Sequence, residues 1–190
     1  MKKLLILIFI TSFSVSFSQE QYYYNVDLTL AGAALKDALA AKIIATHTTT
    51  LEYTSGGPDV WDATKATDEN VANTSEVILY YGWEDGSDQD ITNDISRSKS
   101  LQDNGSGTDF VWNREHVYPQ SLGTPDITTS TVPGQDAHSL RPVDKTTNGS
   151  RGNKLFAEGS GNSGVSNNGW YPGDEWKGDV ARIMMYMYIR

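Results

Sequence analysis

The chain has 190 residues, no cysteine and a formal net charge of −9. That length suits one domain with its own core, and 38% hydrophobic with 21% charged residues is too apolar for wholesale disorder. No apolar run approaches the ~20 residues of a membrane-spanning helix, and the acid surplus argues at first sight against a partner as anionic as nucleic acid.

Met1, Lys2 and Lys3 form a basic start, followed by the apolar run Leu4 to Ile10 and small residues at Ser16 and Ser18. This is the layout of a secretory signal peptide over residues 1–18, cleaved near Ser18 and Gln19. The mature chain, 19–190, is therefore expected to be secreted, extracellular or periplasmic, with no membrane partner. Without cysteine it has no disulfide and no site for a lipid anchor.

Tyr22 to Leu30 is an aromatic-rich lead-in. Ala31 to His47 carries Leu35, Leu39 and Ile43 at i, i+4 and i+8, which predicts an amphipathic helix. Glu76 to Trp83 is a compact β-prone apolar run and reads as a core strand. Glu84 to Asp90 and the Gly/Ser/Asn-rich Glu158 to Gly169 read as loops. Asp174 to Arg190 predicts a buried helix, with Val180, Ile183, Met184 and Met187 at helical spacing. It stays apolar to its end and must pack against something; the expectation is a chain truncated at its C-terminus. No repeat or linker divides the sequence.

The chemistry is concentrated between residues 112 and 154. Trp112-Asn113-Arg114-Glu115-His116-Val117-Tyr118-Pro119 holds one histidine of three, and Asp136-Ala137-His138-Ser139-Leu140-Arg141-Pro142 holds another. Thr147-Asn148-Gly149-Ser150-Arg151-Gly152-Asn153-Lys154 follows. Phosphodiester cleavage needs a hard cation on oxygen ligands to neutralise the phosphate, which Glu115 and Asn148 can supply. It needs a base that is neutral near pH 7, which suits His116, and arginines to hold phosphate oxygens. Singly each element has an ordinary reading: a solvated Glu-His pair, an Asn-Gly turn, a packed His138 in an apolar strand. Geometry adds a condition. Neighbours on a strand face opposite ways, so Glu115 and His116 can serve one site only if a bulge or a strand end re-aims one of them.

These three ordered blocks resemble the bacterial endonuclease I family, secreted or periplasmic nucleases of the ββα-metal (His-Me finger) type. Lys177 to Arg182 with the Met/Tyr-rich helix, and the Tyr-rich lead-in, are also similar to it, so the resemblance covers nearly the whole mature chain. It implies an α+β fold, a mixed helical body around a ββα-metal motif. It also implies a monomeric, metal-dependent endonuclease with little sequence preference, cutting DNA and often RNA to 5′-phosphate ends. His116 would be the general base, and Glu115 and Asn148 would hold Mg2+, with Mn2+ or Ca2+ as alternatives. Arg114, Arg141, Arg151 and Lys154 would face substrate phosphate, and His138 would support the site. The sequence departs from the family pattern in having no disulfide and no arginine from Val117 to Ser139, which leaves Arg141 as the substitute clamp.

Two other readings fit parts of the sequence. One is a metallo-phosphodiesterase acting on small nucleotides; the other is a secreted carbohydrate-binding module that stacks sugars on exposed Trp and Tyr. Position also matters to the charge. Residues 20–110 hold 16 acids and 5 bases while residues 111–190 hold 8 of each, so the acidity lies away from the three blocks.

Overall fold

Short strands and helices alternate with irregular segments along residues 23–105, 107 and 110–190, which the computed structural model describes. The signal peptide expected over 1–18 lies outside these residues. Helix α1 spans Gly32–Thr46, α2 Val60–Thr67, α3 Lys145–Arg151 and α4 Lys177–Ile189. Strands β1 (Glu76–Ile78) and β2 (Ser96–Ser98) pair antiparallel, as do β3 (Trp112–His116) with β4 (Leu140–Asp144) and β5 (Gly164–Ser166) with β6 (Gly169–Tyr171). The class is mixed α+β, as the sequence implies.

Helix α1 lies where its periodicity predicts, but none of its residues is fully buried. Leu39 and Ile43 line an apolar cavity with Met185, Tyr186 and Ile189 of α4, so the predicted face is the one turned to a neighbour. Helix α2 was not anticipated. Asp59 accepts hydrogen bonds from the backbone N–H of Trp61 (2.7 Å) and Asp62, and the Asp62 carboxylate accepts from Asp59 N–H. This reciprocal cap starts the helix, and burial of Val60, Trp61 and Thr64 holds it.

The strand expected over Glu76 to Trp83 is regular only to Ile78. Leu79 and Tyr80 continue in extended contact, their N–H groups donating to the carbonyls of Ile95 and Pro142 at 2.8 Å each. Tyr81, at φ 69°, then turns the chain. Glu158 to Gly169 is not all loop, since β5 and β6 form a hairpin there. Asn167 and Asn168, at φ 47° and 64°, make its two-residue turn, a conformation that asparagine tolerates. Helix α4 buries Val180 and Ile183 but leaves Met185 and Tyr188 exposed, so it is half-docked rather than buried.

Two apolar clusters form the core. Tyr80, Tyr81, Val117, Val143, Trp170, Trp176, Val180 and Ile183 make one; Trp61, Val77, Leu79 and Trp112 make the other. Trp61, Trp112, Trp170 and Trp176 are all buried, leaving Trp83 as the exposed tryptophan. The stacking groove required of a carbohydrate-binding module is therefore not formed from them. No described helix is long and apolar enough to cross a membrane.

Gly82 sits where a Cβ would overlap the backbone carbonyl of Asp94 and press on the Cα of Ile95. Gly82→Ala should destabilise the fold by about 1–3 kcal/mol. Gly149, inside α3 with open space around it, should gain about 1 kcal/mol on substitution by alanine. Thermal melts followed by circular dichroism check both signs; a neutral Gly82→Ala would contradict the close packing.

Candidate active site

Strand β4 runs into helix α3 without a linker, and one residue makes the junction. Asp144, the last residue of β4, accepts from Thr147 N–H at 2.9 Å and so caps the helix. Its other oxygen takes Arg97 Nη1 at 2.7 Å, with both side chains 2% exposed. Arg97 also donates to the carbonyl of Val111, just before β3. At the far end Gly152, at φ 52°, closes the helix by donating to the carbonyl of Asn148 at 2.8 Å. The helix is thus fixed at both ends against the β3–β4 pair.

Strand β3 pairs one-to-one with β4 from Trp112↔Asp144 to His116↔Leu140, with no bulge. Its side chains therefore alternate. On one face, Asn113 Oδ1 accepts from Asn148 Nδ2 at 2.6 Å, and Glu115 Oε1 lies 3.1 Å from Arg151 Nη1. Residues two apart on a strand are ~7 Å apart and those three apart on a helix ~5–6 Å apart, so the four residues meet as two matched rungs. On the other face, Arg114 and His116 both pack on Tyr53. His116 is the last strand residue and keeps the alternation, so neither a bulge nor the strand end turns it onto the face of Glu115.

Glu115 is 2% exposed. Burial raises its carboxyl to about 7 in spite of the Arg151 cation and the Tyr81 O–H that donates to Oε1 at 3.1 Å. Its Oε2 accepts no hydrogen bond among the described residues. Asn148 is half-buried, and with Nδ2 engaged on Asn113 its Oδ1 is likewise without a hydrogen-bond partner among them. These are hard oxygen donors of one charged and one neutral type, the set from which Mg2+, Mn2+ or Ca2+ is bound with water and phosphate completing the shell. The pair fits such an ion, although no group of three or more His, Cys, Asp or Glu among the described residues is arranged to hold one.

The half-buried His116 ring stacks on Tyr53, with centroids 5.6 Å apart and planes 16° apart. Its Nε2 is 2.9 Å from the carbonyl oxygen of Gly134. A carbonyl only accepts, so Nε2 carries the proton and Nδ1 is the bare nitrogen. Burial, reinforced by Arg114 and Arg151, lowers the His116 pKa below the ordinary histidine value, so the ring is neutral near pH 7. Gly134 lies in a single 3-10 turn, Val132–Gln135, and a Cβ there would overlap the carbonyl of Thr128.

The basic candidates turn inward. Arg114 is sandwiched between the Tyr53 and Trp61 rings, its guanidinium 3.6 and 3.9 Å from their centroids, and donates to Tyr53 O and Thr54 Oγ1. Arg141 donates to the carbonyls of Ala137 and Leu140 and to the Tyr80 hydroxyl, and pairs with Asp68 at 3.6 Å. Arg151, 1% exposed, donates to the carbonyls of His116, Val117 and Gly152. Lys154 Nζ donates to the carbonyl of Ser150 at 2.5 Å. His138 precedes β4 instead of lying in it; it is exposed and stacks on Tyr186 at 4.7 Å. Asn113, Tyr81 and Gly134 were not singled out from the sequence. Asn113 stands two residues before Glu115, a spacing that could have shown it on the same strand face.

This constellation sits inside a stretch, residues 31–190, that matches the Endonuclease I family. The chain belongs to the Endonuclease I family. It is 41% identical over 174 residues to the extracellular ribonuclease of Bacillus amyloliquefaciens, covering 88% of this chain and 53% of that protein. It is 40% identical, with the same coverage, to the extracellular ribonuclease of Bacillus subtilis strain 168. The chain thus spans about half the length of the curated relatives it matches. No solved structure matches it.

In this Endonuclease I chain, removing Arg151 would leave a buried carboxylate without its cation. Arg151→Met should cost about 3–5 kcal/mol, and adding Glu115→Gln should recover part of the loss. Urea melts of the wild type, both single variants and the double variant check this; strictly additive losses would show the pair to be uncoupled.

Proposed function

We propose that this chain is an exported, metal-dependent nuclease that hydrolyses phosphodiester bonds in RNA and DNA with little sequence preference, leaving 5′-phosphate ends. The observation that carries the reading is the state of His116: neutral, stacked, and held through Nε2 on a carbonyl so that Nδ1 keeps its lone pair. That is what a general base for water requires at pH 7. Family membership and the names of the two relatives support nucleic acid as the substrate, and those names put RNA beside DNA.

In this reading the scissile phosphate lies over the C-terminal end of β3, the place reachable from both strand faces. Nδ1 of His116 takes the proton of the attacking water as its oxygen bonds to phosphorus and the bond from phosphorus to the 3′ oxygen breaks, that oxygen taking a proton from solvent. The imidazolium so formed keeps its Nε2–H bond to Gly134, so the ring need not move during the step. Glu115 and Asn148 would hold a divalent cation, Mg2+ or a similar ion, whose chemistry when bound is to neutralise charge on the phosphate. Arg151 shapes the site from within, both of its Nη groups engaged on backbone carbonyls, whereas Arg141 engages Nε and Nη1 and keeps Nη2 for a substrate phosphate.

Cleavage of plasmid DNA and of a structureless RNA, with Mg2+ or with EDTA, tests the proposal. The wild type should cut with Mg2+ and not with EDTA, and His116→Ala should lose a factor of about 10²–10⁴ in rate. Undiminished cutting by His116→Ala would overturn the mechanism. A wild type that cuts neither polymer but hydrolyses a small phosphodiester would favour the phosphodiesterase instead.

A further inference from the structure

Tyr81 adopts a backbone conformation that its side chain disfavours. Its φ of 69° lies in the left-handed region, where a Cβ crowds the following carbonyl and a bulky residue is strained. Glycine would make the same turn without strain. The other non-glycine residues with positive φ among those described are Asn167 and Asn168, at a hairpin tip. Tyr81 is instead wholly buried.

The turn changes where the ring goes. Successive residues of an extended chain point to opposite sides, yet Tyr80 and Tyr81 share one core cluster, their ring centroids 6.4 Å apart. The left-handed step brings the Tyr81 hydroxyl to Glu115 Oε1 at 3.1 Å, across 34 residues of sequence. Neighbours hold the turn in place. Ser163 Oγ donates to the Tyr81 carbonyl at 2.7 Å, Trp176 Nε1 to the Gly82 carbonyl at 2.8 Å, and the Trp170 ring meets the Tyr81 ring edge-on at 5.5 Å. Strain persists where surroundings over-determine it, and such strain clusters at functional sites.

One oxygen of Glu115 thereby receives both the tyrosine O–H and the Arg151 cation, each at 3.1 Å. Two groups on Oε1 fix the rotation of the carboxylate and leave Oε2 as the oxygen to be presented. Phenylalanine would fill the same core volume; only the hydroxyl explains why tyrosine is held in a strained turn. We propose that Tyr81 is a positioning residue that orients the Glu115 carboxylate for a divalent cation. This rests on the reading of Glu115 and Asn148 as the cation site.

Binding of Mn2+ to the full chain, followed by loss of the free-ion electron paramagnetic resonance signal, tests it without reference to turnover. The wild type should bind, Glu115→Gln should not, and Tyr81→Phe should bind about 10–100-fold more weakly with an unchanged far-ultraviolet circular dichroism spectrum and thermal melt. Tyr81→Phe binding Mn2+ as tightly as the wild type would overturn the inference while leaving the cation site standing. A wild type that does not bind, or a Glu115→Gln that binds equally well, would overturn the site and the inference with it. If Tyr81→Phe does not fold, the wild type decides: Mg2+ should shift the Tyr81 ring resonances with the same midpoint as those of Glu115, and indifference of the ring would overturn the proposal.

Discussion

The site depends on a buried ion pair between a strand and a helix. Glu115 and Arg151 are both almost fully withdrawn from water, 3.1 Å apart, and desolvation outweighs their attraction enough to raise the carboxyl to about 7. Such a pair is seldom a source of stability in itself. What it confers is placement, because the same guanidinium also donates to the carbonyls of His116 and Val117. One planar fork thus fixes the carboxylate and the backbone at the strand's end together, which the point charge of a lysine does not do. The cap at Asp144, the left-handed Gly152 and the strained Tyr81 all hold parts of this same junction.

His116 is held by different means. Among the described residues no carboxylate pairs with its ring; a peptide carbonyl and a tyrosine face orient it. The carbonyl belongs to a loop anchored two residues later by Asp136, which is 2% exposed and accepts from Tyr186 O–H at 2.8 Å while lying 2.9 Å from Arg190 Nε. Helix α4 therefore supports the base through the loop, whereas α3 supports the carboxylate directly. His138 meets the same Asp136, donating its backbone N–H to Oδ1, and its exposed ring packs on Tyr186.

What could be read in the sequence follows from where local signals were decisive. The periodicity of Leu35, Leu39 and Ile43 sufficed for α1, and the three blocks around Glu115, His138 and Asn148 fall on β3, at the start of β4 and on α3, where the candidate residues sit. The alternation rule also anticipated that Glu115 and His116 would part company on a regular strand. Glu76 to Trp83 misled because hydrophobicity does not encode a left-handed step at Tyr81. Glu158 to Gly169 misled because the same Gly and Asn content serves a loop and a tight hairpin. The roles of the arginines were beyond local reading altogether. Whether a guanidinium meets solvent or a buried carbonyl is decided by residues 34 to 61 positions away, such as Val117 for Arg151 and Tyr80 for Arg141.

That last point alters the meaning of the charge pattern. Arg141, Lys145, Arg151 and Lys154 make the stretch after β4 begins look like a cationic surface, yet each has an internal partner. Arg141 meets Asp68, Lys145 meets Asp103 at 3.3 Å, Arg151 meets Glu115, and Lys154 closes on the carbonyls of its own helix. The acids that gave the first half its surplus are thus partly the counter-charges of the basic stretch. Asp59, Asp62 and Asp103 also line the cavity beside Arg114, which makes the approach to that face less favourable for a polyanion. In the proposed reading few of these cations are left for phosphate, so little of the binding would come from the counterion release that dominates most protein–nucleic acid association. In that reading the positive charge at the cut would come from a small ion on Glu115 and Asn148, and the hydroxyl and guanidinium that hold Glu115 would matter for that reason.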